Sequence, residues 1–218
     1  MSDTYLFWTN KGGVGKTTLC FHSAVAYAQL HPETKIIVID TDEQANLSQV
    51  FLTKKGDPSL GRENCSELRN TTVHQKGYPR TLCGYLLAAK DNNLDRCKVT
   101  AKGKTLLSKE SSFLVNPHNE GFNKSIPPNV YLLCGDPRIV TLLPKFQAYL
   151  SAPGARDFDQ VTGLSEWGEM MSYLKNFLKE ASEQLSGGTA TTAFIDSNPS
   201  MTIWTEVGVA LLAYCNTQ

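Results

Sequence analysis

Long apolar runs and net charge are what this 218-residue sequence lacks. No window approaches eighteen uncharged apolar residues, so a transmembrane helix is not expected. No basic stretch with a following apolar core precedes Tyr5, so no secretory signal is expected; the cytoplasm, away from any membrane, is. Lys and Arg number 21 and Asp and Glu number 21, so no global field draws the chain to nucleic acid. The six cysteines, Cys20, Cys65, Cys83, Cys97, Cys134 and Cys215, contain no CxxC pair. They read as reduced and mostly buried small hydrophobes. His22, His31, His74 and His118 are too scattered for a metal site, and Trp8, Trp167 and Trp204 read as packing. There is no internal repeat and no low-complexity tract.

What is present is a glycine-rich segment, Lys11-Gly12-Gly13-Val14-Gly15-Lys16-Thr17-Thr18. It follows the apolar run Tyr5-Leu6-Phe7-Trp8 and opens a helix-like stretch, Leu19 to Leu30. A strand, a glycine turn and a helix start, in that order, make a phosphate cradle: backbone N–H groups converge on an anion and the helix dipole adds to the field. Gly12, Gly13 and Gly15 are expected to take positive φ and admit the phosphates without a Cβ in the way. Lys16 is placed to reach β- and γ-phosphates, and the Thr17 hydroxyl to ligate Mg²⁺. The strict P-loop pattern asks for glycine where Asn10 stands; a second lysine, Lys11, begins the loop instead.

The remaining elements follow a strand–helix alternation. Lys35-Ile36-Ile37-Val38-Ile39-Asp40 reads as a buried parallel strand ending in a carboxylate. Asn129 to Cys134 is a third strand, followed by a Gly135-Asp136-Pro137 turn. Trp167 to Leu185 has helical spacing (Trp167, Met171, Leu174, Leu178) and is stopped by Gly187-Gly188. Thr191 to Asp196 is a fourth strand, again ending in aspartate, and Val207 to Tyr214 looks like a last helix. Residues 53–128 are polar and weakly periodic, an insertion that is either partly helical or mobile, with Arg80 to Ala89 a plausible helix despite Gly84. Between Thr53 and Glu110 twelve Lys/Arg stand against six Asp/Glu. This reads as a solvated loop-rich surface, with a DNA-phosphate contact as the sharper alternative. The fold expected is α/β: a doubly wound, mostly parallel sheet with helices on both faces. Length allows one such domain, residues 1–218.

Two strands end in aspartate, and the carboxyl ends of strands in an open α/β sheet point at the ligand crevice. Taken with the loop, they form a series: Lys11 and Lys16, then Asp40-Thr41-Asp42 with Gln44 and Asn46, then Asp196-Ser197-Asn198-Pro199. The series resembles the ParA/MinD family of deviant Walker A ATPases, with its xKGGxGK[ST] loop, its D-x-D-x-Q-x-N signature and its Walker B aspartate. The Gly135-Asp136-Pro137-Arg138 turn is similar to its family counterpart and favours the ParA branch. Glu43 departs from the family, which usually carries proline there.

The resemblance implies an ATP- and Mg²⁺-dependent phosphoryl transfer to water, slow because such proteins are switches. It makes Thr17 a Mg²⁺ ligand, with Asp196 and Asp40 in the outer shell, and Asp42 the group that orients or deprotonates water. Lys11 reaches a partner's nucleotide across an ATP-dependent homodimer. Partners implied are non-specific DNA and an activating protein, in DNA partitioning or cargo positioning. In relatives further strands and helices follow the Walker B strand and carry the adenine pocket and the usual DNA-binding residues. The chain stops at Gln218, so a truncated frame and a sheet incomplete on its C-terminal side are expected, leaving an apolar edge beside the P-loop strand. Three other readings stay open: an iron–sulfur electron-transfer ATPase using Cys97 and Cys134, an ATP-dependent metabolic ligase of the same superclass, and a hydrolytically idle nucleotide-binding fragment.

Overall fold

The computed structural model describes residues 3–9, 11–54, 57, 59–101, 104–141, 166–187 and 190–197. In chain order the strands are β1 (Asp3–Phe7), β2 (Lys35–Asp40), β3 (Lys98–Ala101), β4 (Lys104–Ser108), β5 (Leu114–Val115), β6 (Val130–Leu133) and β7 (Thr191–Asp196). The helices are α1 (Lys16–Leu30), α2 (Asn46–Phe51), α3 (Ser59–Asn70), α4 (Leu82–Lys90) and α5 (Glu166–Ser186).

The five-stranded sheet runs β1-β7-β2-β6-β5, and β3 and β4 form a separate antiparallel hairpin. β1, β7, β2 and β6 are parallel; only β5 runs against its neighbour, with Leu114 opposite Leu133. Every residue of β7, and every residue of β2 after Lys35, is buried. A parallel strand covered on both faces needs such an unbroken apolar, β-branched run. The period of two then divides the run between two cores. Ile36, Val38, Leu132 and Phe194 pack with Cys20 and Ala24 of α1, Leu47 and Phe51 of α2, and Cys65 and Leu68 of α3. Ile37, Ile39, Ala193 and Ile195 pack with Leu82 and Tyr85 of α4 and with Leu174, Phe177 and Leu178 of α5. The sheet is thus covered on both faces, as a doubly wound α/β fold requires.

Two placements differ from the linear order of the sequence. β7, the last of these strands, lies between β1 and β2, which are joined directly by α1. Long-range pairing of equally apolar strands leaves no local signal of neighbour order. Residues 53–128 hold α3, α4, the hairpin and β5, and supply Leu82, Tyr85, Phe113 and Leu114 to the core. Their apolar pattern is faint because α3 buries only Gly61, Cys65 and Leu68, two of the three small, at helical spacing. Gly84 sits inside α4 for a packing reason: a Cβ there would lie 1.8 Å from the Pro79 carbonyl oxygen. Gly187, with φ of +53°, follows the last turn of α5. The stretch from Val207 to Tyr214 lies outside the described residues, as does Asn10.

Candidate nucleotide-binding site

The register of the sheet assembles the site. Phe7 of β1 and Asp40 of β2 both pair with Asp196 of β7, so three strand ends finish in one row. From that row β1 runs into the glycine loop and β2 into the loop before α2.

Gly13 and Gly15 adopt φ of +75° and +86°. Gly12 is not among the positive-φ glycines, which corrects the expectation for that residue. A Cβ built on any of the three meets no heavy atom within 4 Å, so the loop's concave side is open. Gly15 is the N-cap of α1, with no side chain capping it and no acidic residue in the first turn. The first N–H groups of a helix have no intrahelical acceptor, and here the N-cap residue has no side chain to serve them. A cradle of this kind fits phosphate oxygens.

Behind the loop, Lys16 Nζ is ion-paired with Asp196 Oδ1, the two side chains 8% and 0% exposed. Among the described residues, Asp196 Oδ2 is buried with no hydrogen-bond partner. Burial pushes the Asp196 carboxyl up, while Lys16 and the Thr17 hydroxyl pull the other way. A free, buried carboxylate oxygen beside the Thr17 hydroxyl is a hard-oxygen donor set of the kind that suits Mg²⁺ sharing its shell with phosphates. Among the described residues no group of three or more His, Cys, Asp or Glu could hold a metal by itself.

Asp40 is placed one layer further in. Its Oδ2 accepts from Ser48 N at 2.8 Å and Ser48 Oγ at 2.7 Å, and its Oδ1 accepts from Asp42 N at 3.1 Å. Ser48 Oγ in turn accepts from Gly135 N at 2.8 Å. Burial, then the neighbouring Asp196, pushes the Asp40 carboxyl up to about 7, against the Ser48 bonds. These bonds make Asp40 the pin that ties the loop after β2 to α2 and to the end of β6. Asp42 is nearly buried and accepts from Gln44 N at 2.9 Å.

Lys11 to Thr18, with Asp42, Gln44, Asn46, Gln49 and Arg62, line one cleft of about 830 Å³. The structure therefore brings together Lys11, Lys16, Thr17, Asp42 and Asp196, and sets Asp40 behind them. Ser48, Gln49 and Arg62 carry no sequence motif and were not singled out. The cysteines named for a cluster, Cys97 and Cys134, are buried in opposite cores of the sheet.

A glycine loop feeding an uncapped helix, beside a strand-terminal carboxylate on a mostly parallel sheet, defines a P-loop nucleotide-binding domain. Residues 5–195 match the model of the CobQ/CobB/MinD/ParA nucleotide binding domain, and the chain belongs to that family. A curated relative, ATPase GET3 of Lodderomyces elongisporus, is 42% identical over 64 residues, 29% of this chain and 18% of that protein. A plasmid partition protein from Borrelia burgdorferi has a similar fold, with a TM-score of 0.52 at 16% identity, over 96% of this chain and 61% of that one. Cobyrinic acid a,c-diamide synthase from Mycobacterium smegmatis, solved with ADP and magnesium, gives 0.50 at 18% identity, over 97% and 57%. The chain spans about three fifths of these solved chains, and the curated match is less than a fifth of its relative.

Proposed function

We propose that this chain is a single P-loop ATPase domain working as an ATP-bound, slowly hydrolysing switch of ParA type. In this reading it dimerises on ATP and serves DNA partitioning or cargo positioning. The observation that carries the reading is the open glycine cradle set against the Lys16–Asp196 pair, with Asp196 Oδ2 left without a hydrogen-bond partner among the described residues. Lys11 to Thr18 bind the phosphates, Lys16 exchanging Asp196 for β- and γ-oxygens. Thr17 would hold Mg²⁺, with Asp196 and Asp40 supporting from the outer shell. Mg²⁺, when bound, neutralises charge on the β- and γ-phosphates. Asp42, on the cleft wall, orients the water. Lys11, exposed at the loop's start, is free to act on a partner's nucleotide across the dimer. Placed charge, rather than covalent chemistry, does the catalysis in such a site.

The test is ATP turnover and ATP-dependent dimerisation, with and without duplex DNA. Lys16→Ala is expected to lose both, and Lys11→Ala to bind nucleotide but not dimerise. Unchanged turnover in Lys16→Ala would sink the reading.

A further inference from the structure

The cleft has a second wall that the P-loop motif does not describe. It is built by α2, α3 and the residues between them, and among the described residues it carries one cation, Arg62, along with Gln49, Thr53 and Ser59. We infer that Arg62 is a phosphate-binding residue acting from the same chain, on the terminal phosphate of a bound nucleoside triphosphate. This rests on the reading of the cleft as an ATP site.

Three observations place Arg62 there. The first is how α3 is held. Gly61, next to Arg62, is buried so tightly that a Cβ would lie 2.3 Å from the Gln49 carbonyl oxygen and 2.4 Å from Thr53 Oγ1. Asn64 Nδ2 donates to the Leu52 carbonyl at 2.7 Å, a second tie between α3 and the end of α2. The N-terminus of α3 is fixed by Asp57, whose Oδ1 accepts from Ser59 N at 3.0 Å and Ser59 Oγ at 2.6 Å. An arginine one residue beyond such a contact is set on a rigid base.

The second is the state of the guanidinium. Its Nε donates to the neutral Gln49 Oε1 at 3.3 Å, and among the described residues Arg62 has no carboxylate partner. Lys16, by contrast, is already neutralised by Asp196. A triphosphate entering the cleft meets Lys16 and Lys11 on the loop side and Arg62 on the other, and only Arg62 offers a planar fork for two phosphate oxygens.

The third is the position along the cleft. Asp42 and Gln44, from the loop after β2, line the same cleft as Arg62, and α2 carries the wall on from them. In the proposed function that side of the site faces the terminal phosphate. A cation there contributes to triphosphate binding and little to diphosphate binding, which gives the switch a way to read its nucleotide.

The experiment is equilibrium binding of ADP and of a non-hydrolysable ATP analogue, each with Mg²⁺, to the parent, Arg62→Ala and Arg62→Lys. Arg62 is exposed, so neither substitution disturbs the core, and thermal melts of the free proteins check this. Arg62→Ala is expected to weaken the ATP analogue about tenfold, the loss of one charge-assisted contact, and to leave ADP within about twofold. Arg62→Lys falls between, keeping the charge and losing the fork. An unchanged ratio of the two affinities in Arg62→Ala overturns this inference alone. A parent that binds neither nucleotide overturns the reading of the cleft and this inference with it.

Discussion

Lys16 and Asp196, 180 residues apart in the chain, form a buried ion pair at the carboxyl end of the sheet. The two groups assigned to phosphate and magnesium are each other's partners in this pair. Removing one member of such a pair strands the other charge in a medium that solvates it poorly, whereas removing both charges leaves nothing stranded. Lys16→Met is therefore expected to destabilise the ligand-free protein by about 2–4 kcal/mol. The double variant Lys16→Met/Asp196→Asn should recover most of that in urea titrations. A double variant no more stable than the single one would contradict the account.

Gly135 lies against the pin of the loop after β2. A Cβ there would come within 3.0 Å of Asp40 Cγ and 3.1 Å of Ala45 Cβ, and Ala45 is already in the left-handed region with φ of +51°. Gly135→Ala is expected to cost about 1–3 kcal/mol by overpacking and to lower ATP turnover more than nucleotide affinity, since Asp40 carries the Asp42 loop. Gly84→Ala is the harsher change, because the obstruction is backbone rather than side chain, and about 3 kcal/mol or more is expected. Melting temperatures of the two variants, with turnover of the first, decide both; equal melting temperatures would refute the ranking.

What was legible in the sequence is what local patterning encodes. The apolar runs 35–40 and 191–196 are strands because a doubly covered strand needs them, and their terminal aspartates fall together because parallel strands end on one side. The helix of α5 was legible from its Leu174 and Leu178 spacing. α2 and α3 were not: Asn46–Phe51 is too short for a period, and α3 hides its buried stripe in Gly61, Cys65 and Leu68. The antiparallel β5 is two residues long, below any pattern. In the site, motif residues announced themselves, while Ser48 and Arg62 owe their roles to where α2 and α3 pack, which no spacing records.

Arg80, buried beside β5 at the far edge of the sheet, shows the same limit. Its guanidinium grips Glu120 with two bonds, Nη1 to Oε2 at 2.5 Å and Nη2 to Oε1 at 2.9 Å. It also donates from Nε to the Ser112 carbonyl at 3.2 Å, and from Nη2 to the Leu114 carbonyl. One planar fork thus ties the entry to α4 to β5 and to the turn bearing Glu120. A lysine keeps the charge but cannot reach four acceptors in that plane. Arg80→Lys is expected to lose about 2–3 kcal/mol in denaturant titrations, against about 1 kcal/mol or less for a lysine change at exposed Arg96. Equal losses at the two positions would mean that the fork geometry contributes nothing.

Asp136, in the turn after β6, supplies a pH signature away from the nucleotide. It is fully buried, and burial alone pushes its carboxyl up. The Arg138 guanidinium, the Arg138 N–H at 3.0 Å and the Thr81 hydroxyl at 2.8 Å outweigh burial and hold it below the ordinary 3.8. A carboxyl with a depressed folded-state pKa adds stability that is complete above its unfolded value and is lost as pH falls through the folded one. Arg138 is half exposed, so its charge is partly screened and the hydrogen bonds from these three groups matter more than the Coulomb attraction. Asp136→Asn keeps an acceptor for Thr81 but not the charge, and about 1–2 kcal/mol is expected to be lost at pH 7. That difference from the parent should hold from pH 7 to pH 5 and shrink below about pH 4, where the carboxyl in the unfolded parent begins to take up a proton while the folded one does not. Stability by denaturant titration at pH 7, 5, 4 and 3 reads it directly; a difference that stays constant to pH 3 would show that the buried charge contributes nothing beyond the shape of the turn.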